Sequence, residues 1–269
     1  MQTISDRGFG VELEMCGVMP SEVATALTAA GVRTVVEGYG HTTRRYWKIV
    51  SDSSILGANG MELVSPILRG EKGLKQIRTV CDVLTRIGVK VNTSTGFHVH
   101  HDTADFSLKN WKMLVLQYIK HEEVVSRFLP QNRRNNEYCL PLRTRFQDVP
   151  AAFQAIQSAR TVDALMAEVN GQSRYFTLNM HNWARRGTVE FRQHCGTVDA
   201  DKVISWILLT QAMVEYAFIL RYYTAQGADK AENLFAFRRF FTGPQKDAVQ
   251  DLPTYFRNRA DSLTAALSV

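Results

Sequence analysis

The alternation of apolar and polar residues along the chain predicts a series of short β-strands. Residues 8–16 (GFGVELEMC) alternate apolar and acidic positions, as expected of a strand whose two faces meet different surroundings. The pair 59–60 (NG) favours a tight turn that leads into a strand at 61–65. The same pattern predicts strands at 46–50, 89–92, 97–102, 175–181 and 188–194, and a turn at 52–54.

Apolar residues that recur about every 3.6 positions predict the helices. They do so within residues 71–87, where Gly88 ends the pattern. Ser21, Ser107 and Thr161 are suited to begin helices, because their side-chain oxygens accept hydrogen bonds from the first backbone N–H groups. We predict helices at 20–30, 71–87, 107–129, a short one after residue 161, one at 199–225, and helical structure from there to the end.

These elements combine into an α+β fold with a mostly antiparallel sheet and a helical C-terminal part. The sequence has no internal repeat and no linker-like or low-complexity segment. We therefore predict one domain over residues 1–269, with a catalytic core at 8–217 and a helical extension at 218–269. The polar, arginine-rich segment 131–150 is predicted to be a loop over the site.

Composition narrows the functional classes only slightly. The net charge of +6 on 269 residues permits binding of nucleic acid, of ATP or of an acidic substrate. The four cysteines are far apart and form no CxxC pair, which argues against a cysteine zinc site or a disulfide scaffold. The sequence has neither an apolar run of about 18 residues nor a signal-peptide pattern. We expect a cytoplasmic protein that does not enter a membrane.

Acidic, imidazole and guanidinium side chains stand out in four of the predicted strands. Side chains at i and i+2 point to the same face of a strand, so residues at alternate positions share a face. For any one strand a solvated face is the simpler explanation, whereas four such strands together favour a chemical site. The residues concerned are Glu12 with Glu14, Glu62, His98 with His100, and Glu190 with Arg192.

Gathering these groups in one cavity requires a counter-charge, because buried carboxylates repel one another and lose their hydration. A bound divalent cation would supply it. Four glutamates and one histidine suit Mg²⁺ or Mn²⁺ better than zinc, since hard cations prefer carboxylate oxygen. Two such ions would bridge ATP phosphates, and Arg192 would stabilise the transferring phosphoryl group.

Several common catalytic motifs do not occur in the sequence. There is no GxxxxGK-S/T loop and no GxGxxG, which argues against P-loop and Rossmann nucleotide sites. There is no GxSxG turn and no cysteine in a recognised nucleophile motif, which argues against covalent hydrolase chemistry. Metal-dependent chemistry on the strands is therefore the leading hypothesis.

At these strands the sequence resembles the amidoligase family of the glutamine synthetase-like carboxylate–amine ligases. The matching segments, in the family's order over residues 8–217, are GFGVELE, SDSSIL, MELVSPIL, GFHVHHD, RYFTLNM and GTVEFRQHCGTVD with its following ISWILL. The resemblance implies a curved antiparallel sheet whose concave face holds ATP and two Mg²⁺ or Mn²⁺ ions. It also implies that a carboxylate is activated as an acyl phosphate, which an amine attacks to give an amide, ADP and phosphate.

The resemblance further implies which residues bind the metals. Glu14 and Glu62 resemble the ligands of the ion nearer the substrate. The ligands of the ion that bridges the ATP phosphates are matched by Glu12, His98 and Glu190.

The remaining roles are likewise implied by the resemblance. Arg192 matches the arginine that contacts the γ-phosphate, and it forms the expected catalytic set together with Glu190 and Glu62. His100 and Arg174 are expected at the nucleotide. Arg174 and Asp52 are also expected to hold the substrate, although an ordinary turn role explains Asp52 better.

Two other functions are compatible with the sequence. A two-metal nuclease or phosphohydrolase would use the same carboxylates and histidines with a basic surface, and would cleave DNA or RNA without ATP. A protein that keeps the nucleotide site but has lost turnover would bind ATP without releasing ADP. The expected partners are small-molecule or peptide carboxylates and amines; nucleic acid is possible but not favoured, and the oligomeric state stays open.

Overall fold

The computed structural model of the protein describes residues 5–38, 40, 42–134, 136–220 and 251–265. The chain divides into two compact units. The first, here called the sheet unit, comprises Thr3–His101 and His194–Ile207. The second, here called the helical unit, consists chiefly of Asp102–Gln193 and Leu208–Val269.

The described part of the sheet unit contains the strands β1 (Phe9–Met15), β2 (Thr34–Val36), β3 (Trp47–Ser51), β4 (Met61–Val64) and β5 (Gly96–Asp102). Their order in the sheet is β2-β3-β4-β1-β5. Strand β1 pairs antiparallel with both β4 and β5, and β3 pairs antiparallel with β4. Only the pair of β2 with β3 is parallel among these strands.

Strand β1 has the two different faces that its sequence predicts. Val11 and Leu13 are each 1% exposed and belong to the apolar core. Glu12 and Glu14, which alternate with them, are half-buried on the other face. The alternation of apolar and acidic residues therefore separates a core face from a polar face on the central strand of this sheet.

The turn that leads into β4 depends on two residues with special backbone requirements. Asn59 has a φ of 58°, in the left-handed region that asparagine tolerates better than most residues. A Cβ atom on Gly60 would lie 2.6 Å from the carbonyl oxygen of Asp52, so a glycine is needed there. The predicted turn is thus confirmed, and it fixes the start of the strand that carries Glu62.

Two helices complete the first part of the sheet unit, α1 (Pro20–Ala29) and α2 (Gly70–Arg86). The apolar positions of α2 that the spacing identified are buried, Ile77 and Leu84 completely. The prediction that Ser21 begins α1 is wrong. Met19 is the N-cap residue and makes no side-chain capping bond, and Pro20 occupies the first turn, where its missing N–H costs nothing.

The predicted strand at 89–92 is also wrong. This segment contributes only one isolated antiparallel bridge, between Lys90 and Cys16. The side chain of Asn92 then accepts hydrogen bonds from the backbone N–H and the hydroxyl of Ser94, at 2.9 and 2.6 Å. This local turn ends the extended segment before a ladder can form.

The described part of the helical unit contains α3 (Leu108–Ser126), α4 (Val149–Ser158), α5 (Val162–Val169), α6 (Trp183–Arg186), β6 (Leu178–Asn179) and β7 (Thr188–Cys195). Strands β6 and β7 pair antiparallel. Ser107 and Thr161 cap α3 and α5 as predicted. Ser107 forms a reciprocal capping box with Asn110, which fixes the start of the longest helix of this part.

Two segments of the helical unit differ from the prediction. Residues 131–150 are not wholly a loop, because they contain the 3₁₀ turns Gln131–Arg133 and Leu142–Arg145 and the start of α4. Helix α4 itself was not predicted from the pattern. The strand predicted at 175–181 is reduced to β6, and its first part makes one parallel bridge, between Phe176 and Leu140.

The last described helices are α7 (Ala200–Ile219) and α8 (Leu252–Ala265). Helix α8 agrees with the predicted helical C-terminal part; residues 221–250 and 266–269 of that prediction lie outside the described residues. Helix α7 is, among the described helices, the one long and apolar enough to cross a membrane, but 67% of its apolar window is buried inside the protein. A buried core helix has the same length and composition.

The architecture expected from the sequence is an α+β fold with a mostly antiparallel sheet and accompanying helices, and this is confirmed. The central position of β1 in the sheet unit matters most for function. It brings the polar faces of β4 and β5 to either side of Glu12 and Glu14.

Candidate functional site

The polar face of the sheet unit carries a cluster of carboxylate and imidazole groups. Glu14 stands opposite Glu62 in the β1–β4 pair, and Glu12 stands opposite His98 in the β1–β5 pair. Directly opposed residues on antiparallel strands share a face, so the polar side chains of the three strands form one cluster. Ligand atoms of Glu12, Glu62 and His98 lie within 4.8 Å of one another, close enough to share a metal ion.

His98 and His100 bind the carboxylates of this cluster directly. His98 Nδ1 lies 3.1 Å from Glu12 Oε2, and His98 Nε2 lies 3.6 Å from Glu14 Oε1. His100 Nε2 lies 3.1 Å from Glu12 Oε1. Glu14 is also fixed from the backbone, because its Oε2 accepts a 2.6 Å hydrogen bond from the N–H of Gly96. The cluster is therefore held in place by its own polar contacts.

The pKa values of Glu12 and Glu62 are shifted in opposite directions. Burial alone would raise the pKa of Glu12, but the charges and hydrogen bonds of His100 and His98 hold that pKa well below its usual range. Burial raises the pKa of Glu62 well above its usual range, and the nearby carboxylates of Glu12 and Glu14 raise it further. The causes that act on the pKa of Glu62 thus raise it, whereas the two histidines lower the pKa of Glu12.

This donor set fits a hard divalent cation. Carboxylate oxygens with one or two imidazoles are ligands that Mg²⁺ and Mn²⁺ accept, and a cation would offset the burial and the like-charge repulsion that raise the pKa of Glu62. The residues that could hold such an ion in the sheet unit are Glu12, Glu62 and His98, with Glu14 beside them.

Asp52 occupies the turn after β3, and its side chain is engaged locally. Its Oδ1 accepts hydrogen bonds from the backbone N–H of Ser54 at 2.8 Å and from the Ser54 hydroxyl at 2.6 Å. This is an ordinary Asx turn. Asp52 still lies near enough to the cluster for its charge to raise the pKa of Glu62. A substrate-binding role for Asp52 stays a prediction.

In the helical unit, Glu190 and Arg192 form a buried ion pair on β7. Arg192 Nη1 donates to Glu190 Oε1, and the two side chains are 11% and 3% exposed. Asn179, directly opposite Glu190 on β6, donates from Nδ2 to Glu190 Oε2 at 2.7 Å. Asn182 Nδ2 lies 3.4 Å from the same oxygen. The alternate spacing on β7 thus places the predicted acid and the predicted arginine side by side.

The guanidinium groups of Arg192 and Arg174 both approach the ring of Tyr175. Arg192 Cζ lies 5.8 Å from the ring centroid and Arg174 Cζ lies 5.3 Å from it, within the range of cation–π attraction. Tyr175 also packs edge to face on Tyr138, with ring centroids 5.8 Å apart. Sequence reasoning gave neither tyrosine a role; the position of Tyr175 directly after the predicted Arg174 was a signal that could have found it.

Two buried charged residues anchor the segment that carries Tyr138. Arg133, 4% exposed, donates to the backbone carbonyl groups of Arg192 and Gln193. Glu122, 1% exposed, accepts hydrogen bonds from the backbone N–H groups of Leu142 and Arg143, at 2.6 and 2.9 Å. Burial raises the pKa of Glu122, while hydrogen bonds from the Thr177 hydroxyl and from these two N–H groups act against that increase. The described part of the segment is thus fixed at both ends.

Two histidines without a predicted role, His101 and His194, are buried and packed against apolar or aromatic residues. His101 is fully buried on the apolar face of β5, opposite Phe9. His194 packs against the rings of Phe97 and Trp206, with centroids 5.4 and 5.1 Å away, and its Nδ1 is 2.7 Å from the carbonyl oxygen of Cys195. Both histidines contribute to packing in the sheet unit.

One of three comparisons with known proteins identifies a family. The model of the family described as "Putative amidoligase enzyme" matches residues 5–214. No curated protein sequence matches the chain. A solved structure described as "Crystal structure of novel glutamine synthase homolog" is similar over 96% of this chain at 12% identity, with a TM-score of 0.43. The chain spans 66% of the length of that structure's chain.

Proposed function

The chain belongs to the amidoligase family, and from this premise we propose that it is an ATP- and magnesium-dependent carboxylate–amine ligase. The observation that carries the proposal is the group of Glu12, Glu62 and His98, whose ligand atoms converge within 4.8 Å on the polar face of the sheet unit. A ligase that uses ATP needs such a group, because divalent cations neutralise the phosphates during phosphoryl transfer.

Four of the proposed metal ligands, Glu12, Glu14, Glu62 and His98, belong to the sheet unit and would hold Mg²⁺ or Mn²⁺. Glu190, a residue of the helical unit, is also proposed as a metal ligand. Bound ions supply positive charge at the phosphates and orient them. His100 is bonded to Glu12 and is proposed to contact the nucleotide.

Arg192 is proposed to contact the γ-phosphate. Its partner Glu190, 3% exposed, keeps the guanidinium in a fixed direction, and Tyr175 lies 5.8 Å from its Cζ. A guanidinium fixed before the substrate arrives stabilises charge that develops in the transition state at little reorganisation cost. Arg192, Glu190 and Glu62 are therefore the proposed catalytic set.

The proposed reaction has two steps. A carboxylate oxygen of the first substrate attacks the γ-phosphorus, the bond from that phosphorus to the β–γ bridging oxygen breaks, and ADP leaves. An amine nitrogen then attacks the acyl carbon, phosphate leaves, and the nitrogen loses a proton to give the amide. The substrates are small-molecule or peptide carboxylates and amines, with Arg174 and Asp52 as proposed contacts.

Isothermal titration with ATP, in the presence and absence of Mg²⁺, tests the proposal. We expect ATP to bind only when Mg²⁺ is present, and Glu12→Gln and Glu62→Gln to weaken binding at least tenfold. Glu71→Gln, on the exposed start of α2, is the matched control and should bind as the unchanged protein does.

Two results of this titration would argue against a ligase. Failure of the folded protein to bind ATP under either condition contradicts the proposal, and a nuclease assay with DNA and RNA then tests the two-metal alternative. Binding that is equal with and without Mg²⁺ contradicts the metal assignment. Where Mg²⁺-dependent binding is found, ADP release in the presence of candidate carboxylates and amines identifies the substrates.

A further inference from the structure

In the helical unit, an exposed pair of tyrosines lies next to Arg192 and Arg174. Tyr175 is 37% exposed and Tyr138 is 51% exposed, and their rings meet at an interplanar angle of 88°. Arg192 and Arg174 both lie over the Tyr175 ring. The surface therefore changes from cationic at the arginines to aromatic at Tyr138 over a short distance.

Tyr138 is presented by a backbone that is already ordered. Its N–H donates to the side chain of Asn136 at 2.9 Å, and the N–H of the buried Cys139 donates to the carbonyl oxygen of Asn136 at 3.0 Å. The next residue, Leu140, donates to the carbonyl oxygen of Tyr175 at 2.8 Å. An aromatic surface that is fixed before binding avoids much of the ordering cost of capturing a ligand.

We infer that Tyr138 is the stacking surface for the base of a purine nucleoside triphosphate. The inference rests on the proposed function, in which Arg192 contacts the γ-phosphate. Such a ligand is complementary to this surface. Its anionic phosphates match the arginines, and its flat aromatic base matches the ring of Tyr138. The exposed face of Tyr138 stacks on the base, and Arg174 binds phosphate oxygens between the two ends.

The charge and the exposure of these residues favour a nucleotide over a purely anionic ligand. Two arginines at the ring of Tyr175 account for the binding of phosphate or carboxylate, but they give no reason for an exposed aromatic ring beyond them. Loss of a stacked base from an aromatic residue weakens binding by roughly fivefold to 150-fold. Tyr138 should therefore contribute measurably to affinity while it has no part in binding the phosphates.

Titrations of MgATP and of magnesium tripolyphosphate, which has the same phosphate chain without a base, test the inference. We expect Tyr138→Leu to weaken MgATP binding by about fivefold to 150-fold and to leave tripolyphosphate binding unchanged. Tyr138→Phe should retain MgATP affinity, because stacking requires the ring and not the hydroxyl. Arg174→Gln should weaken both ligands. The exposure of Tyr138 means that these variants are expected to fold, which thermal unfolding checks.

The outcomes separate this inference from the proposed function. Normal MgATP affinity in Tyr138→Leu overturns the stacking role and leaves the ligase proposal intact. Equal weakening of both ligands in that variant also overturns it, since the effect would then not depend on the base. Complete failure of the unchanged protein to bind MgATP contradicts the proposed function, and the stacking role with it.

Discussion

Glu12 on β1 and His98 on β5 stand directly opposite each other, and Glu12 Oε2 lies 3.1 Å from His98 Nδ1. The other ring nitrogen of His98 lies 3.6 Å from Glu14 Oε1. A single imidazole thus contacts two carboxylates on the same face of the sheet. Glu62 shares this face, and burial together with the carboxylates of Glu12 and Glu14 raises its pKa, so the group as a whole favours a cation.

Removing either member of the Glu12–His98 pair should weaken binding of a divalent cation. We expect Glu12→Gln and His98→Asn each to reduce Mn²⁺ affinity at least tenfold, because each removes a ligand atom from the group. Electron paramagnetic resonance of free Mn²⁺ measures the affinity directly and requires no nucleotide. Glu22→Gln, on the exposed side of α1, controls for the loss of one negative charge. Unchanged Mn²⁺ affinity in both site variants would rule out a metal site here.

Much of the polar face could be predicted from the sequence, because it depends on residues that are close to one another in the chain. The period of two in a strand places Glu12 with Glu14 and His98 with His100, and antiparallel pairing around β1 then brings these pairs together. The cap at Ser107 is equally local, since its hydrogen bonds span only three residues.

The rest of the site depends on partners that are distant in the sequence. Tyr138 meets Tyr175 only because the segment around Leu140 lies beside residues 175–177. The strand predicted at 175–181 has the right composition, but its length depends on how much of β7 pairs with it. Likewise, nothing in the sequence near Glu122 indicates that it accepts backbone hydrogen bonds 20 residues away.

The buried His101 should make the protein less stable in mild acid. Burial, together with the charges of Arg7 and His100, lowers the pKa of His101 to about 3. An unfolded histidine has a pKa of about 6.5. Between these values the unfolded state binds a proton that the folded state does not, so stability is lost as pH falls below about 6.5.

Urea unfolding at pH 7 and pH 5 measures this effect. We expect the unchanged protein to lose about 2 kcal/mol more than His101→Gln between these pH values, because glutamine does not titrate. The glutamine variant is expected to be less stable at pH 7, so the comparison uses the change with pH and not the absolute value. An identical change in both proteins would mean that His101 is protonated normally when folded.

Replacing Glu190 should have consequences that depend on the substituent. Glu190→Ala leaves the guanidinium of Arg192, 9% exposed overall, without its carboxylate partner, and breaking a buried pair in this way costs about 3–5 kcal/mol. Glu190→Gln retains the volume and one oxygen that accepts from Arg192. We therefore expect thermal unfolding to separate the two variants clearly, with the alanine protein melting lower.

Both Glu190 variants should nevertheless lose Mg²⁺-dependent nucleotide turnover, because each removes a proposed metal ligand. Glu190→Gln is the sharper test, since it keeps the fold closer to that of the unchanged protein. Full turnover by a folded Glu190→Gln protein would refute the assignment of Glu190 as a ligand. A melting temperature of the alanine variant equal to that of the unchanged protein would instead show that the pair with Arg192 adds nothing to stability.

The neighbouring residues Glu122 and Glu123 allow a matched test of how the segment that carries Tyr138 is fixed. Glu122 is buried and accepts from the N–H groups of Leu142 and Arg143, whereas the side chain of Glu123 is 64% exposed and forms an ion pair with Arg143. Removing Glu122 takes the acceptor away from the N–H of Arg143 and from the hydroxyl of Thr177, while the N–H of Leu142 keeps a longer contact of 3.3 Å with Thr177 Oγ1. Each buried donor left without an acceptor costs about 1–3 kcal/mol. An exposed ion pair contributes about 0–1 kcal/mol.

We accordingly expect Glu122→Ala to lower the free energy of unfolding by about 2–3 kcal/mol and Glu123→Ala to lower it by less than about 1 kcal/mol. Hydrogen exchange at the amides of Leu142 and Arg143 should accelerate in Glu122→Ala and stay nearly unchanged in Glu123→Ala. If Tyr138 stacks on the base only when its segment is fixed in place, MgATP affinity should fall only in the Glu122 variant. Only that change removes the hydrogen bonds that hold the segment. Faster exchange at these amides with normal MgATP affinity would separate the anchoring of the segment from nucleotide binding.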